Sequence, residues 1–185
     1  MPAFLKSMAI DGFAALALAP ESRQIFDYWA SLWEGDALPV RARFEPLRVR
    51  ALLPGVMIME VKPGERVFVR LSGSAVNAAV GMDLTGKDLL ALTPEDKRGE
   101  RLERNSNSAR GNAGWCIRSG THADGTAWRG EEIYLPFRDT TEDGARLILY
   151  HSTLRPLPGA EPIIRLGQGL ALSETFRFIP LQTGT

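Results

Sequence analysis

The spacing of apolar residues first predicts an amphipathic helix from about Ser22 to Glu34. Its large apolar side chains recur three and four positions apart, so they share one helical face. They are Ile25, Tyr28, Trp29, Leu32 and Trp33. Ser22 is a favourable N-cap, and Gly35 can adopt the left-handed conformation that often ends a helix. A face this rich in aromatic rings must be buried, either in the chain's own core or against a second copy.

The next apolar segments predict a short helix, from Glu45 or Pro46 to Leu53, and then two strands. The strands are residues 55–62 and 66–72, and the turn Pro63-Gly64-Glu65 favours an antiparallel hairpin. The first strand is apolar on both faces, as in a central strand that is covered on both sides. The second alternates, and one face is predicted to hold Val67, Val69 and Leu71.

The middle of the chain predicts three further helices. Two short ones are expected over Ser74–Val80 and Lys87–Leu92, where glycines interrupt the pattern. A longer helix begins near Thr93, which is a suitable N-cap, and Pro94 occupies its first position. It is expected to end before Gly111.

The last third of the chain predicts β structure. Residues 115–121, 126–137 and 145–154 are strand candidates separated by turn residues, and they continue the sheet as an antiparallel meander. After Pro156 we expect an extended tail with one apolar patch, residues 176–181.

This order of elements is that of a PAS domain, and the chain resembles a family of small bacterial single-domain PAS proteins. Seven short segments carry the resemblance, in order along the chain. They are Tyr28-Trp29, Leu32-Trp33-Glu34-Gly35, Phe44-Glu45-Pro46, Leu52-Leu53-Pro54, Val69-Arg70-Leu71-Ser72-Gly73-Ser74, Gly81-Met-Asp-Leu-Thr-Gly86 and Tyr134-Leu135-Pro136. Together they cover roughly residues 22 to 157.

The resemblance implies an α+β fold: a five-stranded antiparallel sheet in the order 2-1-5-4-3, with helices on one face and an extra N-terminal helix. That helix would cap the other face or pair with a second protomer. The chain then divides into an N-terminal arm (1–21), a PAS-like domain (22–157) and a C-terminal tail (158–185). The fold does not by itself fix a ligand or an activity.

Composition narrows the possible functions. The chain has 185 residues, with 22 basic and 22 acidic side chains. Zero net charge argues against a general nucleic-acid binder or a polybasic membrane-surface protein. A single cysteine excludes an intramolecular disulfide and fits a reducing cytoplasm. No stretch has the roughly 18 apolar residues of a spanning helix, and residues 13–19 are expected to form a docking segment or arm rather than an export signal.

Candidate ligand-binding residues lie on the strands and on the first short helix. They are Phe68, Arg70, Asn77, Trp115, Trp128, Tyr134 and His151. Arg70 shares a face with Phe68, where it would bind an anion in a pocket, form a salt bridge to an acid such as Glu132, or lie in solvent. Strand register decides which of the aromatic residues line the pocket, because a slip of one residue turns them to the other face.

His151 shares a strand face with Leu147 and Leu149. If that face lines the pocket, its imidazole would ligate haem iron or accept a hydrogen bond from a ligand. If it faces the N-terminal helix, His151 is a packed core residue. We interpret Cys116 as a small buried apolar side chain, and His122 as a surface turn residue rather than a metal ligand.

These observations favour a non-enzymatic signalling module that senses a small ligand in the cytoplasm. It would form a homodimer through the aromatic helix face and act on a regulatory protein partner, with no nucleic-acid partner and no membrane span. No residue is assigned a catalytic role and no metal site is expected. Two alternatives stay open: a haem- or flavin-bearing redox or gas sensor, although no motif indicates either cofactor, and a small α+β-barrel enzyme.

Overall fold

The computed structural model describes residues 4–35, 37–62, 66–121, 127–141, 144–156, 175–179 and 181. Within these ranges six strands form one antiparallel sheet. They are β1 (Val56–Lys62), β2 (Arg66–Ser72), β3 (Ala113–Thr121), β4 (Ala127–Thr140), β5 (Arg146–Pro156) and β6 (Thr175–Ile179). Their order is β2-β1-β5-β4-β3-β6. The predicted α+β class and the order 2-1-5-4-3 are confirmed, and one strand is added at the β3 edge.

Helices cover both faces of the sheet in the described ranges. They are α1 (Phe4–Ala14), α2 (Pro20–Ser31), α3 (Ser74–Val80), α4 (Glu95–Ala109) and two 3₁₀ helices, Arg41–Arg43 and Pro46–Gly55. We call the face beneath α3 and α4 the inner face, and the face beneath α1, α2 and the 3₁₀ helices the outer face. None of these helices is long and apolar enough to cross a membrane.

Each face has its own apolar core, and alternation along β5 shows the division. Leu147 and Leu149 belong to the outer core, whereas Ile148 and Tyr150 belong to the inner core. Because successive strand residues point to opposite faces, a strand covered on both sides is apolar throughout. Strand β1 lies between β2 and β5, so the central position predicted from its composition is confirmed.

The aromatic face of α2 packs into the outer core of the same chain. Ile25 and Trp29 are 0% exposed, and Trp33 is 6% exposed. The indole N–H of Trp29 donates to a backbone carbonyl of β4 at 3.1 Å. Tyr28 and Leu32 are only partly buried against this core. Packing within the chain, one of the two alternatives left by the sequence, therefore accounts for the three buried side chains.

Helix α1 occupies much of the predicted N-terminal arm and docks on the same outer core. The ring of Phe13 is fully buried and stacks on Phe26 of α2, with centroids 4.2 Å apart. Gly12 lies against Ile179 of β6, so closely that a Cβ at this position would overlap the isoleucine side chain. The N-terminal helix and the last strand thus meet at one point.

The apolar patch of the predicted tail forms β6. Phe176 pairs with Cys116 of β3, and Ile179 pairs with Ala113. Alternation sends Phe176 to the inner core and Ile179 to the outer core, so the strand extends both cores. The prediction of five strands is corrected to six for this reason. Residues 157–174 of the predicted tail lie outside the described residues.

Two predictions around β2 were wrong. Residues 87–92 do not form a helix; the backbone N–H of Leu89 donates to Val67 O at 2.8 Å, and that of Val69 donates to Lys87 O at 3.0 Å. These bonds occupy the open edge of β2, which local propensity could not anticipate. A register shift opposite Ile58 also turns Leu71 away from its predicted neighbours, and it is 47% exposed.

The start of α4 also differs slightly from the prediction. Pro94 occupies the N-cap position, so the helix begins at Glu95, one residue later than expected. The hydroxyl of Thr93 instead donates to the carbonyl of Leu89 at 2.5 Å, so it does not cap the helix. The predicted turns at residues 63–65 and 123–125, together with His122, lie outside the described residues.

Candidate functional site

Three neighbouring strands bring polar side chains together on the inner face. Cys116 of β3 lies opposite Glu132 of β4, and Tyr134 of β4 lies opposite Tyr150 of β5. Arg118 follows Cys116 by two positions, so it points to the same face. We call these five residues the Glu132 cluster. These residues come from three separate segments of the chain. The pairing of β3, β4 and β5, with the alternation along each strand, brings their side chains together.

Glu132 lies at the centre of the cluster and is 1% exposed. Its Oε1 accepts a hydrogen bond from the Tyr150 hydroxyl at 2.5 Å and lies 2.6 Å from Nη2 of Arg118. Its Oε2 accepts from the Tyr134 hydroxyl at 3.0 Å and from Sγ of Cys116 at 3.5 Å. A buried carboxylate requires such donors, because an unpaired buried charge is very costly.

Aromatic rings hold the polar groups of the cluster in position. Tyr134 and Tyr150 pack edge to face, with centroids 5.2 Å apart. Phe176 of β6 also packs edge to face against Tyr134, with centroids 5.4 Å apart. The Arg118 guanidinium lies 5.5 Å from the ring of Trp128, which is 2% exposed. The rings restrict the rotamers of the donors and exclude water from them.

Helix α4 brings a second guanidinium to this region. Arg101 is 8% exposed, and the side-chain amide of Asn105 donates to its carbonyl at 2.9 Å. Burial lowers the pKa of Arg101, and the nearby charge of Arg118 lowers it further, whereas Glu132 acts in the opposite direction. The position of α4 over the sheet therefore contributes to the electrostatics of the cluster.

The protonation states follow from burial and from Glu132. Burial raises the pKa of both Tyr134 and Tyr150 well above the ordinary value, and the negative charge of Glu132 raises it further. Burial, and then Glu132, also raises the pKa of the Cys116 thiol. Burial alone would lower the pKa of Arg118, but Glu132 together with Tyr150, Tyr134 and Cys116 outweighs it, and the pKa is raised. The cluster is therefore a set of hydrogen-bond donors around one acid, and its protonated thiol is a poor nucleophile.

Of the seven predicted ligand residues, Trp128 and Tyr134 lie at this cluster. Trp115 lies on the outer face, where its indole N–H donates to Glu131 at 2.9 Å. The two predicted tryptophans are thus separated by the sheet. The sequence could not assign them to faces, because that assignment depends on strand register.

Phe68 and Arg70 of β2 lie away from the cluster. The Lys62 ammonium and the Arg66 guanidinium lie over the Phe68 ring, 5.3 and 4.5 Å from its centroid. Arg70 is exposed, and its guanidinium lies 3.5 Å from the carboxylate of Glu60. This is the salt-bridge alternative for Arg70, formed with Glu60 in place of Glu132.

The remaining two predicted residues have other surroundings. His151 lies in the outer layer, 2% exposed, and its Nδ1 has no hydrogen-bond partner among the described residues. Burial lowers the pKa of His151 to about 4, against the opposing charge of Glu21. Asn77 holds the loop after α3, since its side chain bonds to the Asp83 carboxylate and to the N–H of Leu84, each at 3.1 Å.

Arg101, Arg118 and Tyr150 are site residues that the sequence did not predict. One signal was available: Ile133, Leu135 and Phe137 share one face of β4, whereas Glu132 and Tyr134 share the other. An acid in a strand that is covered on both faces requires a partner. In the described part of the chain, no three His, Cys, Asp or Glu side chains are grouped as a metal site.

A family model described as a PAS domain matches residues 18–149, from just before α2 into β5. The match spans most of the chain, and the protein belongs to the PAS domain family. The resemblance inferred from the sequence is confirmed. A comparison with curated proteins finds no match. Family membership indicates a signalling or sensory module, since PAS domains are generally sensory rather than catalytic.

Proposed function

We propose that this PAS domain is a regulatory module that binds a small polar ligand at the Glu132 cluster and acts through contact with another protein. The observation that carries the proposal is the buried carboxylate of Glu132, surrounded by four donors on the inner face. Replacing a buried ion pair by apolar side chains is often neutral or stabilising. Stability alone therefore does not account for the cluster, whereas ligand recognition does.

The donors define the ligand class. The guanidinium of Arg118 carries several N–H donors in a fixed fork, so it can bond an oxygen of a ligand while it stays paired with Glu132, and the hydroxyl oxygens of Tyr134 and Tyr150 can accept an N–H of the ligand. A carbonyl, amide or carboxylate group fits them, and Trp128 and Phe176 offer flat apolar surfaces for the rest of the molecule. The ligand we propose is a small amide or carboxylic acid with an aromatic body.

A depression beside the inner core supports access from solvent. It lies between α4 and residues 88–91 and has a volume of about 490 Å³. Leu90 and Leu102 line it and also pack in or against the inner core. A ligand that enters there would displace α4. The protein would then populate a different conformation, which a partner protein could bind with a different affinity.

The output step in this proposal is contact with a regulatory protein or a second copy of the chain. Among the predicted interface residues, Tyr28 on α2 and Leu32, directly after its end, retain exposed surface. A homodimer through this edge predicts that Leu32→Asp halves the molecular mass measured by light scattering. An unchanged mass would exclude this edge as the interface.

The cofactor-bearing sensor and the barrel enzyme have less support. A haem sensor would be favoured by an imidazole on the inner face, but His151 lies on the outer face. An absorption spectrum of the purified protein tests this alternative, since a Soret or flavin band at stoichiometric level would favour it. For an enzyme, the cluster offers protonated hydroxyls and a protonated thiol rather than an activated nucleophile.

Thermal unfolding with benzoate and benzamide, together with native mass spectrometry, tests the proposed function. Wild type is compared with Tyr150→Phe, which removes a donor from the cluster, and with Tyr28→Phe, which removes a tyrosine hydroxyl at the surface. We expect the probes to raise the melting temperature of wild type and Tyr28→Phe, but not of Tyr150→Phe. Equal shifts in all three proteins, or no shift and no bound small molecule, would overturn the proposal.

A further inference from the structure

The outer face carries a groove at the end of the sheet that α2 leaves uncovered. Its volume is about 410 Å³, within the range of roughly 300–1,000 Å³ that is typical of small-molecule sites. The groove runs between the 3₁₀ helix Pro46–Gly55 and the adjoining ends of β1 and β2. Its apolar lining includes Phe44, Leu53, Val56, Ile58 and Leu71. Most of these side chains are buried, but Leu71 is 47% exposed and would be covered by an occupant.

Positive charge surrounds this apolar lining. Arg41 and Arg50 line the groove, and no acidic side chain does so among the described residues. The Arg41 guanidinium lies 5.5 Å from the centroid of the Phe44 ring and donates to the Phe44 carbonyl at 3.3 Å, which holds it at the groove. Residues 41–50 contain four arginines and one glutamate, in a chain of zero net charge.

The wall of the groove beside α3 is tightly built. The N–H of Gly73 donates to Val56 O at 2.8 Å, and a Cβ on Gly73 would overlap the carbonyl oxygens of Leu53 and Pro54. The groove therefore has a rigid backbone wall on this side.

We propose that this groove binds a small amphiphilic carboxylate. Its alkyl chain would lie on the apolar lining, and its carboxylate would pair with the guanidinium groups of Arg50 and Arg41, whose planar geometry matches a carboxylate. A peptide strand is a poorer fit, because the backbone of β2 at Val67 and Val69 is already bonded to residues 86–89. The groove and the Glu132 cluster lie on opposite faces of the sheet, so the two proposals stand independently.

Titration of the full chain with decanoate tests the inference, using calorimetry and amide NMR spectra. Two variants change the groove. Arg50→Gln removes a positive charge, and Leu71→Asp places a negative charge, the same sign as that of the ligand's carboxylate, on the apolar lining. Arg48→Gln is the matched control, because Arg48 lies in the same 3₁₀ helix but does not line the groove. Decanol, which keeps the chain and lacks the charge, is the control probe.

We expect decanoate to bind wild type and Arg48→Gln equally, with shifts confined to groove residues. Arg50→Gln should weaken binding by about tenfold or more, as for loss of a charge-assisted hydrogen bond, and Leu71→Asp should abolish it. Absence of binding, equal affinity in all variants, or equal affinity for decanol would overturn the inference. So would groove resonances that move with protein concentration alone, since a second copy would then cover the groove. None of these results would affect the benzamide test of the Glu132 cluster.

Discussion

Glu131 and Glu132 are adjacent in the chain, but their carboxylates lie on opposite faces of β4. Glu132 points inward to Arg118 and the tyrosines. Glu131 points outward, where Oε1 accepts the backbone N–H of Ala19 at 3.1 Å and Oε2 accepts the indole N–H of Trp115 at 2.9 Å. Because of strand alternation, Glu132 belongs to the candidate site, whereas Glu131 helps to hold α2 on the outer face.

Glu132→Gln should destabilise the protein strongly. The change leaves the buried guanidinium of Arg118 without its anionic partner. Removing one member of a buried ion pair typically costs about 3–5 kcal/mol. Urea unfolding should show a loss of this size in the free energy of unfolding.

The double variant Glu132→Leu with Arg118→Met separates stability from recognition. Removing both charges leaves neither unpaired, so the double variant should regain much of the stability lost in Glu132→Gln, less the cost of leaving the hydroxyls of Tyr134 and Tyr150 without their acceptor. It should nevertheless fail to respond to benzoate and benzamide. A double variant as unstable as Glu132→Gln would contradict the argument that the pair is dispensable for folding.

Glu131→Ala should loosen α2 without changing the inner face. It leaves the partly buried N–H groups of Ala19 and Trp115 without their acceptor, at a cost near the lower end of the roughly 1–3 kcal/mol that is typical of a fully buried donor. Hydrogen exchange should accelerate in α2 and stay unchanged in β1. Glu21→Gln is the control, because its pair with Arg155 is exposed and worth less than about 1 kcal/mol. Equal effects of the two changes would argue against this attachment.

Stability should fall as the pH is lowered through the range set by His151. Its pKa is about 4 in the folded protein and about 6.5 when unfolded, so the unfolded chain binds more protons between these values. The stabilisation is present above about pH 6.5 and is lost as the pH falls towards 4, by about 3 kcal/mol in total. Unfolding in urea at a series of pH values measures it.

His151→Leu removes the titrating group and keeps an apolar side chain in the outer core. The steep part of the pH profile between about 6.5 and 4 should flatten in this variant. A profile identical to that of wild type would show that other groups control acid stability.

Gly73→Ala and Gly99→Ala should change stability in opposite directions. Gly73 has φ −71, which alanine tolerates, but a Cβ there overlaps the carbonyl oxygens of Leu53 and Pro54. Such overpacking costs about 1–3 kcal/mol. Gly99 lies inside α4 with nothing within 4 Å of an added Cβ, so alanine should stabilise the helix by about 0.5–1 kcal/mol. Melting curves of the two variants should move apart, and movement in the same direction would contradict the packing at Gly73.

The Cys116 thiol should resist labelling in the native protein. It is 0% exposed, and burial raises its pKa, so little thiolate is available to an aromatic disulfide reagent. It is the single cysteine of the chain, so the absorbance change reports this residue alone. Labelling should accelerate in urea along with unfolding, and a fast stoichiometric reaction without denaturant would contradict the buried position.

The sequence predicted those elements that local pattern defines. The bounds of β2 follow from its alternation, and α3 ends at Val80, directly before Gly81, which has φ 80. Residues 87–92 and 175–179 were missed as sheet partners because their hydrogen bonds go to segments far along the chain or across a turn. The pattern of apolar and polar residues within a segment carries little information about which edge of the sheet that segment will pair with.

The candidate site was predicted only in part, for a similar reason. Tyr134 and Trp128 were named, but Arg118 and Tyr150 reach Glu132 only through the register of β3, β4 and β5. A shift of one residue in any of these strands would move its contribution to the outer face. The sequence shows the residues that a site needs, and the pairing of strands decides which of them meet.

The position of β6 has a consequence for any shortened version of this protein. The family match ends at residue 149, before β6 begins at Thr175. A chain that ended at residue 149 would lose Phe176, whose ring packs against Tyr134 on the inner face. It would also lose Ile179, whose side chain lies against Gly12 on the outer face. The segment that matches the family model, residues 18–149, is therefore shorter than the segment needed to complete the inner and outer cores, which extends through β6.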